Sequence, residues 1–265
     1  MDGDWLGPQD LAWSPDGTRI AMLHEGDIQT IDLPGNALRR WTDMSDQFPA
    51  WPTWSPDGRS LAFALLTRPI RGTAVRILDT QDGTVHDPAP LLGNNLAPAS
   101  PARWSPDGTT VIFSQSRGRV AADGSVDIVY ELFSLRPADA EFHQITNMGA
   151  SANNPQWSSV GHQIFFDFAP EPCDPGYSTN RTTWVMEAGG SNPREWPVNF
   201  GNPRVQYSYP FQLSPDGEHV AFIGPDATRS YGVLHMMRLD GTGHKQLTFP
   251  LDPLRGEDID LPEPE

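Results

Sequence analysis

Residues 54–58 read Trp-Ser-Pro-Asp-Gly; the same phrase stands at 13–17 and 104–108, with Trp-Ser-Ser-Val-Gly at 157–161 and Leu-Ser-Pro-Asp-Gly at 213–217. Within the phrase, proline presets φ for the first central position of a tight turn. Aspartate suits the second, and glycine accepts a left-handed backbone. The phrase therefore closes a hairpin, and the Trp or Leu before it ends a strand. A short apolar or alternating run follows each copy, at 19–23, 60–65, 110–114, 163–167 and 219–223, and reads as the next strand.

Further along each unit comes a second strand pair: IQTIDLPGNALRRWT (28–42), VRILDTQDGTVH (75–86), VYELFSLRPADAEFHQIT (129–146), TWVMEAGGSNPREW (183–196) and LHMMRLDGTGHKQLT (234–248). Polar centres such as Asp82-Gly83, Gly189-Gly190 and Asp240-Gly241 are turn chemistry. Every unit thus supplies four consecutive antiparallel strands. The phrases are spaced by 41, 50, 53 and 56 residues, the scale of a propeller blade.

One such unit cannot bury both faces alone, whereas copies side by side bury each face against a neighbour. The expected fold is all-β, a β-propeller of five four-stranded antiparallel blades at about 5–43, 44–92, 93–147, 148–199 and 200–249. The propeller would occupy 1–250, followed by an acidic, proline-containing tail or linker at 251–265. Trp13, Trp54, Trp104 and Trp157, with Leu213, are assigned to the spaces between blades. An aromatic ligand cage is the other reading of the same residues.

Composition agrees with a folded all-β chain: 37% hydrophobic, nine Trp, and 27 Pro and 24 Gly spread in short clusters. A net charge of −16 repels phosphate backbones and anionic lipid, so nucleic acid is not an expected partner. No run of about 18 apolar residues exists, so membrane insertion is not expected either. The N-terminal MDGDWLGPQD lacks the basic region and apolar core of a secretory signal, leaving a cytoplasmic protein, a processed form or a fragment. Cys173 is the single cysteine; it excludes an intramolecular disulfide and has no base beside it in sequence.

The three WSPDG phrases, with WVMEAGGSNPREW (184–196) and MMRLDGTGHKQLTF (236–249), resemble the TolB-type (WD-repeat-like) β-propeller repeat. The resemblance runs from about residue 9 to residue 249. It implies a bacterial propeller, periplasmic or extracellular, of a type found as binding proteins, as gates on prolyl-oligopeptidase-like hydrolases and as modules of larger chains. Two departures stand out. Ser159-Val160 replaces Pro-Asp in the fourth unit, and neither a sixth phrase nor the α/β domain of TolB is present.

Function on such scaffolds sits in loops held by rigid strands. The loops between strands two and three, with the joins between blades, share the end opposite the SPDG turns. They carry Arg68, Arg71, Arg117, Arg119, Tyr177, Arg181, Arg204, Tyr207 and Tyr231, a set suited to a peptide or anionic ligand. Scattered solvated side chains are the competing reading. APEPCDPGYSTNRT (169–182) is the longest insertion and the single loop most worth testing.

Nucleophile-elbow, zincin and phosphate-loop signatures are missing, and the seven histidines lack metal-ligand spacing. No catalytic residue, cofactor or metal is therefore assigned. The expected function is non-catalytic binding of a protein, peptide or other ligand at the loop-rich end. The alternatives are an enzyme or enzyme module, either a glycan-active propeller or a hydrolase gate, and a purely structural repeat module. Oligomeric state is not legible.

Overall fold

A computed structural model describes residues 9–43, 47–67, 73–87, 100–120, 124, 126–170, 182–196, 211–225 and 232–248. These residues form five four-stranded antiparallel sheets whose strands are ordered as they occur in the chain. Blade one is β1 (Gln9–Trp13), β2 (Arg19–His24), β3 (Asp27–Asp32) and β4 (Ala37–Arg40). Blade two is β5 (Gln47–Trp54), β6 (Ser60–Thr67), β7 (Thr73–Asp79) and β8 (Val85–His86). Blade three is β9 (Arg103–Trp104), β10 (Val111–Val120), β11 (Val126–Arg136) and β12 (Glu141–Gln144). Blade four is β13 (Ser151–Trp157), β14 (Gln163–Ala169), β15 (Thr182–Glu187) and β16 (Arg194–Glu195). Blade five is β17 (Phe211–Leu213), β18 (His219–Pro225), β19 (Gly232–Arg238) and β20 (Lys245–Gln246). The architecture is that of a five-bladed β-propeller with no helix among the described residues, and hence none long and apolar enough to cross a membrane.

The chain divides into two compact units: Met1–Trp196 with Pro203–Ser208, and Pro197–Asn202 with Tyr209–Glu265. Blades one to four belong to the first unit and blade five to the second. Residues 251–265 of the expected tail lie outside the described residues.

Each repeated phrase folds as the turn its residues demand. The Ser N–H donates to the carbonyl five residues on, and the Gly N–H donates back to the Ser carbonyl at 2.9 Å in all five copies. The glycines have φ of 69–72°, where a Cβ would be strained. In four copies the Ser hydroxyl donates to the Asp carboxylate, with Ser14–Asp16, Ser55–Asp57 and Ser105–Asp107 at 2.6 Å. The same Asp oxygen accepts the N–H two residues later, as in Thr18 N–H to Asp16 at 3.0 Å. Blade four closes the turn without that carboxylate, since Val160 stands in its place. Successive turns also touch: glycines 58, 108 and 161 lie against Pro15, Pro56 and Pro106. The turn-bearing end of the first unit is thus a ladder of prolines and glycines.

Three apolar clusters fill the spaces between neighbouring blades of the first unit. Ala21 and Ile28 meet Trp54, Leu61, Phe63 and Leu78. Ala62, Val75 and Ile77 meet Val111, Phe113 and Phe133. Ile112 and Leu132 meet Ile164, Phe166 and Met186. Strands covered on both faces need apolar residues throughout, which is why 61–65 read Leu-Ala-Phe-Ala-Leu without alternation.

The repeated tryptophans follow one rule. Trp54 Nε1–H donates to the Ala12 carbonyl at 3.0 Å, Trp104 to Thr53 at 3.1 Å and Trp157 to Arg103 at 3.2 Å. Each indole reaches the innermost strand of the preceding blade. Trp13 departs from the expected interior position and is 61% exposed. Leu213, which stands at this place in blade five, is buried.

Candidate functional site

The last strands of blades one, three and five end in Arg-Trp-Thr (40–42), Gln-Ile-Thr (144–146) and Gln-Leu-Thr (246–248), and the structure gives each residue type a task. The threonine hydroxyl accepts a strand-three N–H: Ile28 at 3.0 Å, Leu132 at 2.8 Å and Leu234 at 2.9 Å. The residue two before it turns back to the threonine carbonyl: Arg40 Nε at 3.0 Å, Gln144 at 2.5 Å and Gln246 at 3.0 Å. This clasp ties the blade's outer edge to the end that carries its strand-two to strand-three loop.

In two blades the clasp encloses a carboxylate. Asp27 is buried, accepts the Thr42 hydroxyl at 2.7 Å and pairs with Arg40 at 2.5 Å. That hydrogen bond raises the Arg40 pKa. Glu131 is buried, accepts the Thr146 hydroxyl and accepts the Met148 N–H at 3.2 Å. Burial raises the Glu131 pKa, while the bonds from Thr146, Met148 and Gly149 oppose the rise. Both carboxylates are engaged on their oxygens, so their evident work is to brace the loop-bearing end.

The innermost strands carry a second feature at that end. Asp10, Trp51 and Asn154 each lie three residues before the blade's tryptophan, and each has positive φ: 53°, 53° and 51°. The pairing of the first two strands shifts around each of them, marking a β-bulge. A left-handed tryptophan is uncommon and costs on the order of 1 kcal/mol or more. The Trp51 N–H donates to the Asp10 carboxylate at 3.2 Å, so adjacent bulges are joined. Beside Asn154, Asn153 is 6% exposed and its Oδ1 has no hydrogen-bond partner among the described residues.

Of the residues expected from the sequence to form a site, Arg117 is described in full. It is exposed, lies on β10 and donates to the Gln144 side chain, joining the blade-three clasp. The backbone of Arg119 lies on β10 opposite Asp127. Arg68, Arg71, Tyr177, Arg181, Arg204, Tyr207 and Tyr231 lie outside the described residues, as does most of the 169–182 insertion. The clasp threonines, the buried carboxylates and the bulge residues escaped the sequence reading. A usable signal was present: the clasp threonine follows its strand-three partner by 14 residues in all three blades.

Asp216, Glu218 and His219 bring three potential metal-ligand groups together in blade five. They belong to the SPDG turn, where Asp216 already accepts the Ser214 hydroxyl and the Glu218 N–H. Turn chemistry accounts for their proximity.

No protein-family profile and no curated protein matches the chain. Solved structures do. A protein assigned as TolB from Agrobacterium tumefaciens has a TM-score of 0.61 at 21% identity, over 91% of this chain and 80% of its own. TolB from Acinetobacter baumannii has a TM-score of 0.59 at 21% identity, over 89% of this chain and 52% of its own. An oligogalacturonate lyase from Vibrio parahaemolyticus has a TM-score of 0.62 at 12% identity, over 89% of this chain and 63% of its own. Likeness at these identities speaks to architecture: the chain has the TolB-type β-propeller fold.

Proposed function

We propose that this protein is a non-catalytic binding propeller that takes a peptide or protein segment at the loop-bearing end of its blades. The observation that supports this best is the repeated inner-strand bulge. Three blades hold a non-glycine residue in the left-handed region at one register, and one of the three, Trp51, is not a residue type that adopts it readily. Packing alone does not ask for a left-handed tryptophan, and strain of this kind gathers at ligand-holding positions. The opposite end is filled by its own turns, and Asp27 and Glu131 are occupied by the clasps.

The test is a random dodecapeptide display library panned against the purified chain, followed by calorimetric titration of the recovered peptides. Trp51→Asn keeps a residue tolerant of positive φ while removing the indole. Binding by the wild type and weakening of about tenfold in the variant are expected, the loss of a mid-sized aromatic contact. Recovery of no specific peptide would overturn the reading.

The likeness to an oligogalacturonate lyase favours a second reading, a glycan-active propeller. Shortening of oligogalacturonate by the purified chain, abolished by substituting a loop carboxylate, would put that reading first.

A further inference from the structure

Blade five carries an aromatic triad whose chemistry the repeat does not ask for. In blade three, Phe113 on β10 lies opposite Phe133 on β11, and Phe142 stands two residues before Gln144, the partner of Phe133 on β12. The three rings pack with centroids 6.1, 6.1 and 5.3 Å apart. In blade five the same registers hold Phe222 on β18, His235 on β19 and His244, two residues before Gln246, the partner of His235 on β20. Their centroids lie 5.3, 5.9 and 4.9 Å apart. Three hydrocarbon rings serve the blade at this place, so the two imidazoles are an addition to it.

The addition is costly and directed. His235 is 5% exposed, and burying an imidazole gives up hydration that a phenyl ring never had. Its Nδ1 meets His244 Nε2 at 3.0 Å, across a separation of 9 residues that the turn between β19 and β20 closes. Two nitrogen ligands of one tetrahedral ion, each about 2.0–2.1 Å from it, stand about 3.3–3.4 Å apart. A small outward movement of the His244 ring therefore opens the pair to an ion. His244 is exposed, which supplies both the movable ligand and the entry path. Imidazole suits zinc, copper and nickel rather than the oxygen-seeking magnesium and calcium, and a net charge of −16 draws cations to the surface.

We propose that His235 Nδ1 and His244 Nε2 form a bis-imidazole site for a divalent transition-metal ion such as Zn²⁺, with the remaining positions left to water or a ligand. In the metal-free pair one of the facing nitrogens carries a proton and donates it to the other. On binding, that ring exchanges its proton to its far nitrogen, both facing lone pairs go to the ion, and neutral imidazoles release no proton. The site lies within blade five and does not depend on the peptide-binding reading. Asp216, Glu218 and His219 are the competing place for an ion in the same blade.

The test is calorimetric titration of the purified, tag-free, chelator-treated chain with Zn²⁺. His244→Phe installs the residue that blade three carries at this register, and His219→Ala removes the imidazole of the competing group. Wild type is expected to bind Zn²⁺. His244→Phe should bind at least about tenfold more weakly, since even the supporting partner of a ligand is worth that much. His219→Ala should match wild type. In the proton NMR spectrum of the wild type, two histidine ring signals should shift together as Zn²⁺ is added, a readout that needs no variant to fold. Equal affinity of wild type and His244→Phe, loss of binding in His219→Ala alone, or histidine signals unmoved by Zn²⁺ would each overturn the assignment.

Discussion

At the scale of single residues, the SPDG aspartates carry a pH dependence whose sign follows from their bonds. The Ser14 hydroxyl, then the Thr18 N–H and hydroxyl, lower the Asp16 pKa from 3.8 to about 2. Asp57, Asp107 and Asp216 are lowered likewise, with the neighbouring serine as first cause. A carboxyl depressed on folding contributes stability above its unfolded pKa and loses it as pH falls through the folded one. Asp16→Ala should therefore lower the melting temperature at pH 6, and the gap to wild type should close between about pH 4 and pH 2. Circular-dichroism melts at both pH values check this. Blade four supplies the converse: Val160 is 69% exposed where the other copies hold Asp. Ser159→Pro with Val160→Asp should raise stability by about 0.5–1 kcal/mol, the gain from one exposed hydrogen-bonded turn, and so raise the melting temperature. A fall would show that this turn does not share the geometry of the others.

Glycine gives a cleaner contrast. Gly26 and Gly190 have φ of 84° and 85°, but a Cβ on Gly26 meets nothing within 4 Å, whereas on Gly190 it falls 2.5 Å from the Ile145 carbonyl oxygen. Gly26→Ala should cost about 1 kcal/mol from backbone strain alone, and Gly190→Ala distinctly more. Urea denaturation of the two variants measures the difference as the price of steric contact between blades three and four.

At the scale of the blade, the clasp makes threonines of one sequence pattern unequal. Thr146 is buried and serves both the Leu132 N–H and Glu131, whereas Thr248 is exposed and serves the Leu234 N–H. Thr146→Val leaves two buried polar groups unmatched and should cost about 2–3 kcal/mol; Thr248→Val should cost under about 1 kcal/mol. Equal effects in denaturant titrations would deny the clasp its stated role. The blade was legible in the sequence because its turn and its strand pair repeat as residue types at fixed places. The bulges were not, because the left-handed Trp51 sits where the register of β5 on β6 shifts, and tryptophan gives no local signal for it.

At the scale of the whole molecule, the net charge of −16 works on any partner before contact is made. A peptide with basic flanks should associate more slowly as salt rises, with its dissociation rate little changed. The five-blade architecture followed from the count of repeated phrases, whereas the identity of the ligand-facing residues depended on which loop-end groups the strands had already engaged. The central claim is that the inner-strand bulges at the loop-bearing end hold a peptide. A crystal structure of the chain with a library-selected peptide tests it most directly. The expected result places the peptide along the bulged ends of β1, β5 and β13. A peptide seated on the SPDG turns or along an outermost strand would contradict the claim.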